Sequence, residues 1–166
     1  MKSLILFIAA LSPCIGCSVI TGLISLGDDL EAATPQYISF AFVTPDTLEA
    51  EIENLPKETG LQSRGKHGIT PLMVAAVINP DPEVINLLIK FGAELEDKDP
   101  DGLTALMLAA RYTENPEVIS VLIKAGANTN ARDKEGKTAL DYAKENKCVY
   151  ETKAYEELND AFNNQQ

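Results

Sequence analysis

Histidine is almost missing from this chain, and cysteine is scarce where it would count. There are one His and three Cys in 166 residues. These four are the bare number that one Cys3His zinc site would need, and two of the Cys fall within the first 17 residues, far from His67 and Cys148. Cys14 and Cys17 sit near the N-terminus, so only Cys148 lies well inside the chain. One thiol forms no internal disulfide, and the fold must hold without staples. No His or basic cluster adjoins Cys148, although Lys147 and Lys153 are near, and it reads as a half-buried structural residue. Basic residues are few as well: 14 Lys+Arg stand against 25 Asp+Glu, for a net charge of −11. Phosphate neutralisation needs a basic face, which argues against nucleic acid as a partner.

Catalytic signatures are equally thin. His67, Ser63 and Asp99 lack the nucleophile elbow Gly-x-Ser-x-Gly. His67 is therefore read as a turn-tip residue. No Gly-rich phosphate loop is present. Asp97, Asp99 and Asp101 alternate as in a calcium loop, but position 108 is Leu where the closing Glu belongs. They read as a solvated turn tip, with no metal and no cofactor implied. The apolar and charged fractions, 45% and 23%, do suit one folded domain.

Charge is absent between Lys2 and Asp28. Within that gap runs Leu4-Ile5-Leu6-Phe7-Ile8-Ala9-Ala10-Leu11, then Ser12-Pro13-Cys14-Ile15-Gly16-Cys17. One positive charge, a short apolar run and then small residues are the build of a secretory leader. The run is short for a membrane span, which needs ~20 residues. Cys14-Ile15-Gly16-Cys17 resembles the cleavage box of bacterial lipoproteins, with Gly16 before the lipidated Cys17 and Cys14 where a Leu is usual. The expected layout is a leader over 1–17 and a linker over 18–36, ending in the polar stretch Asp28–Gln36. The product is exported, either tethered to a membrane by lipid on Cys17 or free in the periplasm or medium. An uncleaved anchor is the remaining alternative.

From residue 37 to the end the chain reads as one repeat domain. A shift of 34 superimposes Gly68-Ile69-Thr70-Pro71-Leu72-Met73-Val74-Ala75-Ala76 on Gly102-Leu103-Thr104-Ala105-Leu106-Met107-Leu108-Ala109-Ala110, and Leu88-Ile89-Lys90 on Leu122-Ile123-Lys124. Residues 68–101 and 102–135 share 16 identities in 34 positions. A further copy starts at Gly136-Lys137-Thr138-Ala139-Leu140. Each unit predicts a turn closed by Gly, a Thr N-cap and a short helix with Ala on its buried face. A Pro-marked loop and a second helix ended by a C′ Gly follow. Thr44-Pro45 to Leu55 aligns with the second helix from Asn115-Pro116, which makes 37–67 a degenerate first copy with Ile38–Phe42 as its first element. Residues 136–162 form the last copy and a capping helix around 152–162, and Asn163–Gln166 a frayed tail.

Gly-x-Thr-Pro/Ala-Leu-x-x-Ala-Ala followed by Leu-Ile-Lys-x-Gly-Ala resembles the ankyrin-repeat family. The resemblance implies an all-α solenoid of stacked helix-turn-helix units. Met73 and Met107 stand where the family often has His, so packing replaces that hydrogen bonding, and Asp141 holds the place in the last copy. The family binds proteins on a concave side built from turn tips and first-helix positions. Carried over, the tips are Arg64, Lys66, His67 and Ile69, then Lys98, Pro100, Asp101 and Leu103, then Lys134, Glu135 and Lys137. The helix positions are Val77 and Ile78, Arg111 and Tyr112, Lys144 and Glu145. Tyr and Arg are favoured in interface centres. The implied function is non-enzymatic binding of a protein partner by a monomer, with membrane contact only through the leader or a lipid. An envelope lipoprotein whose repeats act as a spacer, or an enzyme using His67, are the alternatives.

Overall fold

The computed structural model describes Phe40 and residues 43–55, 57, 60–65, 68–79 and 81–164. The leader, the linker and Cys17 lie outside the described residues, as do Lys66 and His67. Among the described residues there are seven α-helices and no strand. They are α1 (Leu48–Glu53), α2 (Pro71–Ile78), α3 (Pro82–Lys90), α4 (Ala105–Tyr112), α5 (Glu117–Lys124), α6 (Ala139–Glu145) and α7 (Lys153–Asn164). None is long and apolar enough to cross a membrane.

The sequence accounts for each boundary. Thr70, Thr104 and Thr138 sit in extended backbone before α2, α4 and α6, and each hydroxyl accepts the amide of the residue three further on. Pro71 takes the first position of α2, where its missing N–H costs nothing. Asp141 completes a capping box, its Oδ2 accepting the Thr138 amide at 3.0 Å and the Thr138 hydroxyl at 2.8 Å. At Met73 the same reach is made by sulfur: the Thr70 amide points to Met73 Sδ at 3.5 Å. The second helices α3 and α5 end in Schellman turns. Gly92 and Gly126 have φ of 94° and 95°, and the amides of Ala93 and Ala127 return to the carbonyls of Leu88 and Leu122.

The helices form two layers. Inner helices α2, α4 and α6 lie side by side, and outer helices α3, α5 and α7 lie behind them. Ala75, Ala76, Ala109, Ala110 and Ala143 are wholly buried, and their small side chains let the inner helices approach closely. The outer layer supplies the larger groups Val84, Ile85, Leu88, Val118, Ile119 and Leu122, all wholly buried. Burying about 25 cal/mol per Å² of such surface is what holds units that are too small to fold alone.

Neighbouring units are also tied through their loops. The Asn79 amide donates to the carbonyls of Phe40 and Val43 at 3.1 and 2.9 Å. Asn146 repeats this, donating to Ala110 at 3.2 Å and Thr113 at 3.1 Å. Of the expected first element Ile38–Phe42, Phe40 alone is described, and it is fully buried. At the other end α7 is the outer helix of the last unit rather than only a cap, since it packs against both α5 and α6. The expected tail needs correction: Asn163 and Asn164 are helical. Ala154, Leu158 and Phe162 continue one apolar stripe, which carries the helix past 162.

Candidate partner-binding face

Three turn tips, 65–69, 99–103 and 133–137, share one hairpin pattern. The amide of the first residue donates to the carbonyl of the last, and the amides of Gly68, Gly102 and Gly136 return to the first. Asp99 Oδ1 braces its tip by accepting the amides of Asp101 and Leu103 at 2.9 and 2.8 Å. Asp133 Oδ1 does the same with Glu135 and Lys137 at 2.8 and 2.9 Å. Burial outweighs these bonds at Asp99 and raises its pKa. At Asp133 the hydrogen bonds from Tyr142 and the turn amides outweigh desolvation and lower it. Of the alternating Asp97, Asp99 and Asp101, the last two belong to the tip, where Asp99 faces its own amides, and Asp97 just before it pairs with Arg64.

Successive tips are laced together. Arg64 pairs with Asp97 and donates to the Lys98 carbonyl at 2.6 Å. Thirty-four residues on, Lys98 Nζ donates to the Arg132 carbonyl at 3.0 Å. The Lys134 amide donates to the Asp101 carbonyl at 3.0 Å. Arg64 and Lys98, expected as free contact residues, therefore already hold the next tip in register. One expected contact is overturned. Leu103 is 7% exposed, because the middle tip is flanked on both sides and its side chain joins the core. Ile69 and Lys137, at the matching positions of the flanking units, are half-buried. Asp101 and Lys134 are exposed.

The inner helices present the other expected residues. Val77, Ile78 and Tyr112 are half-buried and Arg111 is exposed. The Arg111 guanidinium lies 4.9 Å from the centre of the Tyr112 ring and 5.2 Å from that of Tyr142, within cation–π range of both. Lys137 Nζ approaches Tyr142 from the tip at 5.3 Å. Tyr142 itself is 3% exposed, and its hydroxyl donates to Asp133 Oδ2. Burial first, and then that bond, push its phenol well above the ordinary range. Tyr142 was not among the expected contacts. It falls in register with Val74 and Leu108, where an aromatic residue reads as core. The signal for it was a polar-tipped ring among aliphatic equivalents.

Carboxylates are unevenly spread over the helices, and the outer ones also carry Lys90, Lys124 and Lys153. Outer helices carry Glu83, Glu117, Glu156, Glu157 and Asp160, and α1 carries Glu49, Glu51 and Glu53. Inner helices α2 and α4 carry no carboxylate, and Arg111 is their one charged residue. The inner helix α6 does carry carboxylates: Asp141, which pairs with Lys144 at 3.6 Å, and the exposed Glu145. Among the described residues Arg111 is assigned no carboxylate partner, and its neighbours are aromatic faces.

A family model described as ankyrin repeats, in three copies, matches residues 48–133 and, in a second placement, 72–153. No curated protein matches the chain. The matched span contains all three tips, all three inner helices and the Arg111–Tyr142 cluster.

Proposed function

Since the chain belongs to the ankyrin-repeat family, whose repeats serve as protein-interaction modules, we propose that it is an exported, non-enzymatic binder of a protein partner. The partner docks on the side formed by α2, α4, α6 and the tips. The observation that carries this reading is the Arg111–Tyr112–Tyr142 cluster, in which an exposed cation of the carboxylate-free helix α4 lies against its own neighbour Tyr112 and against Tyr142 of α6. Tyr112 and Arg111 are residue types that dominate interface energetics, and here they sit on a rigid element, which lowers the entropy cost of docking. The leader-like N-terminus supports export, and Cys17 supports a lipid tether.

Two measurements test the two halves of the proposal. A photo-crosslinking side chain placed at position 112 should capture a partner that the same group at the exposed outer residue Lys124 does not. Equal capture at both sites would remove the inner face from the account. Intact mass of the mature protein from membranes should start at a diacylglyceryl-Cys17, and a mass beginning at Met1 would contradict cleavage.

A further inference from the structure

Which chemistry the partner must bring can be read from the charges on this face. Among the described residues the other tip and inner-helix cations are occupied within the chain, except Lys134, exposed at its tip. Arg64 pairs with Asp97, Lys137 with Glu135 at 3.5 Å, and Lys144 with Asp141 at 3.6 Å. Lys98 is engaged with the Arg132 carbonyl, and Arg132 Nη1 donates to Gly136 O at 2.7 Å. Arg111 differs. Among the described residues its contacts are the two ring faces, which satisfy none of its five N–H donors. Tyr142 cannot swing away, because it is buried and its hydroxyl is bonded to Asp133. An exposed planar fork lying against two rings fits a carboxylate bidentately.

The surroundings say where that carboxylate sits in the partner. On one side of Arg111, the half-buried Val77 and Ile78 of α2 occupy the matching positions of the preceding inner helix. On the other side lie Lys137 and Lys144, both already paired, and the exposed Glu145 of α6, one repeat on from Arg111. A segment crossing Arg111 thus has protein surface ahead of it and behind it, apolar on one side and mixed-charge on the other. This suits a side chain within a continuous segment better than a chain end. We infer that the partner, on the binding mode proposed above, presents an extended segment in which an Asp or Glu side chain forks onto Arg111 while an adjacent apolar residue covers Val77 and Ile78.

The probe is a display library of random peptides anchored at both ends, so that no free C-terminus is offered, selected on the full chain. Binders should share an acidic residue at one fixed position beside an apolar one. Changing that residue from Glu to Gln should weaken binding about ten- to hundredfold, as expected for loss of a charge-assisted hydrogen-bond pair. In Arg111→Gln the Glu and Gln peptides should bind alike, and Arg111→Lys should recover part of the preference. Arg111 is exposed, so these variants keep the fold, and Lys124→Gln on the outer helix α5 should leave the preference intact. If binders lose affinity in Tyr112→Ala but show no fixed acid, or keep the acid preference in Arg111→Gln, this inference fails while the docking face stands. Binders indifferent to Tyr112→Ala, or a selection that yields none, would sink the docking face and the inference with it.

Discussion

Alanine at Gly102 and at Gly136 makes a matched pair that isolates the packing between tips. The two glycines hold the same place in successive units, with φ of 87° and 82°. Forcing an L-residue into that region costs about 1–2 kcal/mol, and this part is common to both. The surroundings then differ. A Cβ at Gly136 would meet nothing within 4 Å. A Cβ at Gly102 would lie 3.2 Å from the Lys134 amide nitrogen and 3.3 Å from Asp133 Cα, both backbone atoms of the next tip. That tip must retreat by a few tenths of an ångström. The amide being pushed is the one that donates to Asp101 at 3.0 Å, a bond with a net worth of about 0.5–1.5 kcal/mol. Gly136→Ala should therefore cost about 1–2 kcal/mol and Gly102→Ala about 2–3 kcal/mol. Urea unfolding followed by far-UV circular dichroism reads the difference. With a slope of about 1.5 kcal/mol/M, the midpoint of Gly102→Ala should fall roughly 0.7 M below that of Gly136→Ala, with equal slopes. Coincident midpoints would show that the tips do not press on one another as described.

Two further outcomes follow from loop and ring contacts. Asn79→Ala should destabilise the fold by about 2–3 kcal/mol in the same assay, because it leaves the carbonyls of Phe40 and Val43 without their donor; a cost under about 0.5 kcal/mol would refute the clamp. Tyr142 links stability to alkaline pH. Its folded pKa lies above the ordinary value of 10.0, so the folded state keeps a proton that the unfolded state releases. The stability from that proton is intact below pH 10 and falls as pH rises beyond it. Wild type should then lose stability more steeply above pH 10 than Tyr142→Phe, and parallel curves would contradict the buried hydroxyl.

Much of this architecture is legible in the residues because repetition tests each local rule several times. Thr caps, Pro71 at a helix start and the C′ glycines 92 and 126 all act as their positions imply. The site is harder to read. Leu103 looks like an exposed tip when judged by register alone, yet only the structure shows that a middle tip is covered from both sides. Arg64 and Lys98 look free in sequence, because their acceptors are backbone carbonyls 34 residues away. Asn79 and Asn146 perform the same task but are 67 residues apart, off the 34-residue period, so the repeat count hides their kinship. A ring at Tyr142, in register with Leu108, is indistinguishable from core in the sequence until Arg111 and Asp133 are placed beside it.

On the proposed function, a protein partner docks on the inner helices around Arg111 and Tyr112. Its most direct test is the affinity of a crosslinked and purified partner for wild type and for Arg111→Ala/Tyr112→Ala, with circular dichroism showing equal folding of both. Loss of two interface-centre side chains should abolish capture or weaken it by about a hundredfold or more. A double variant that binds undiminished would contradict the assignment of this face.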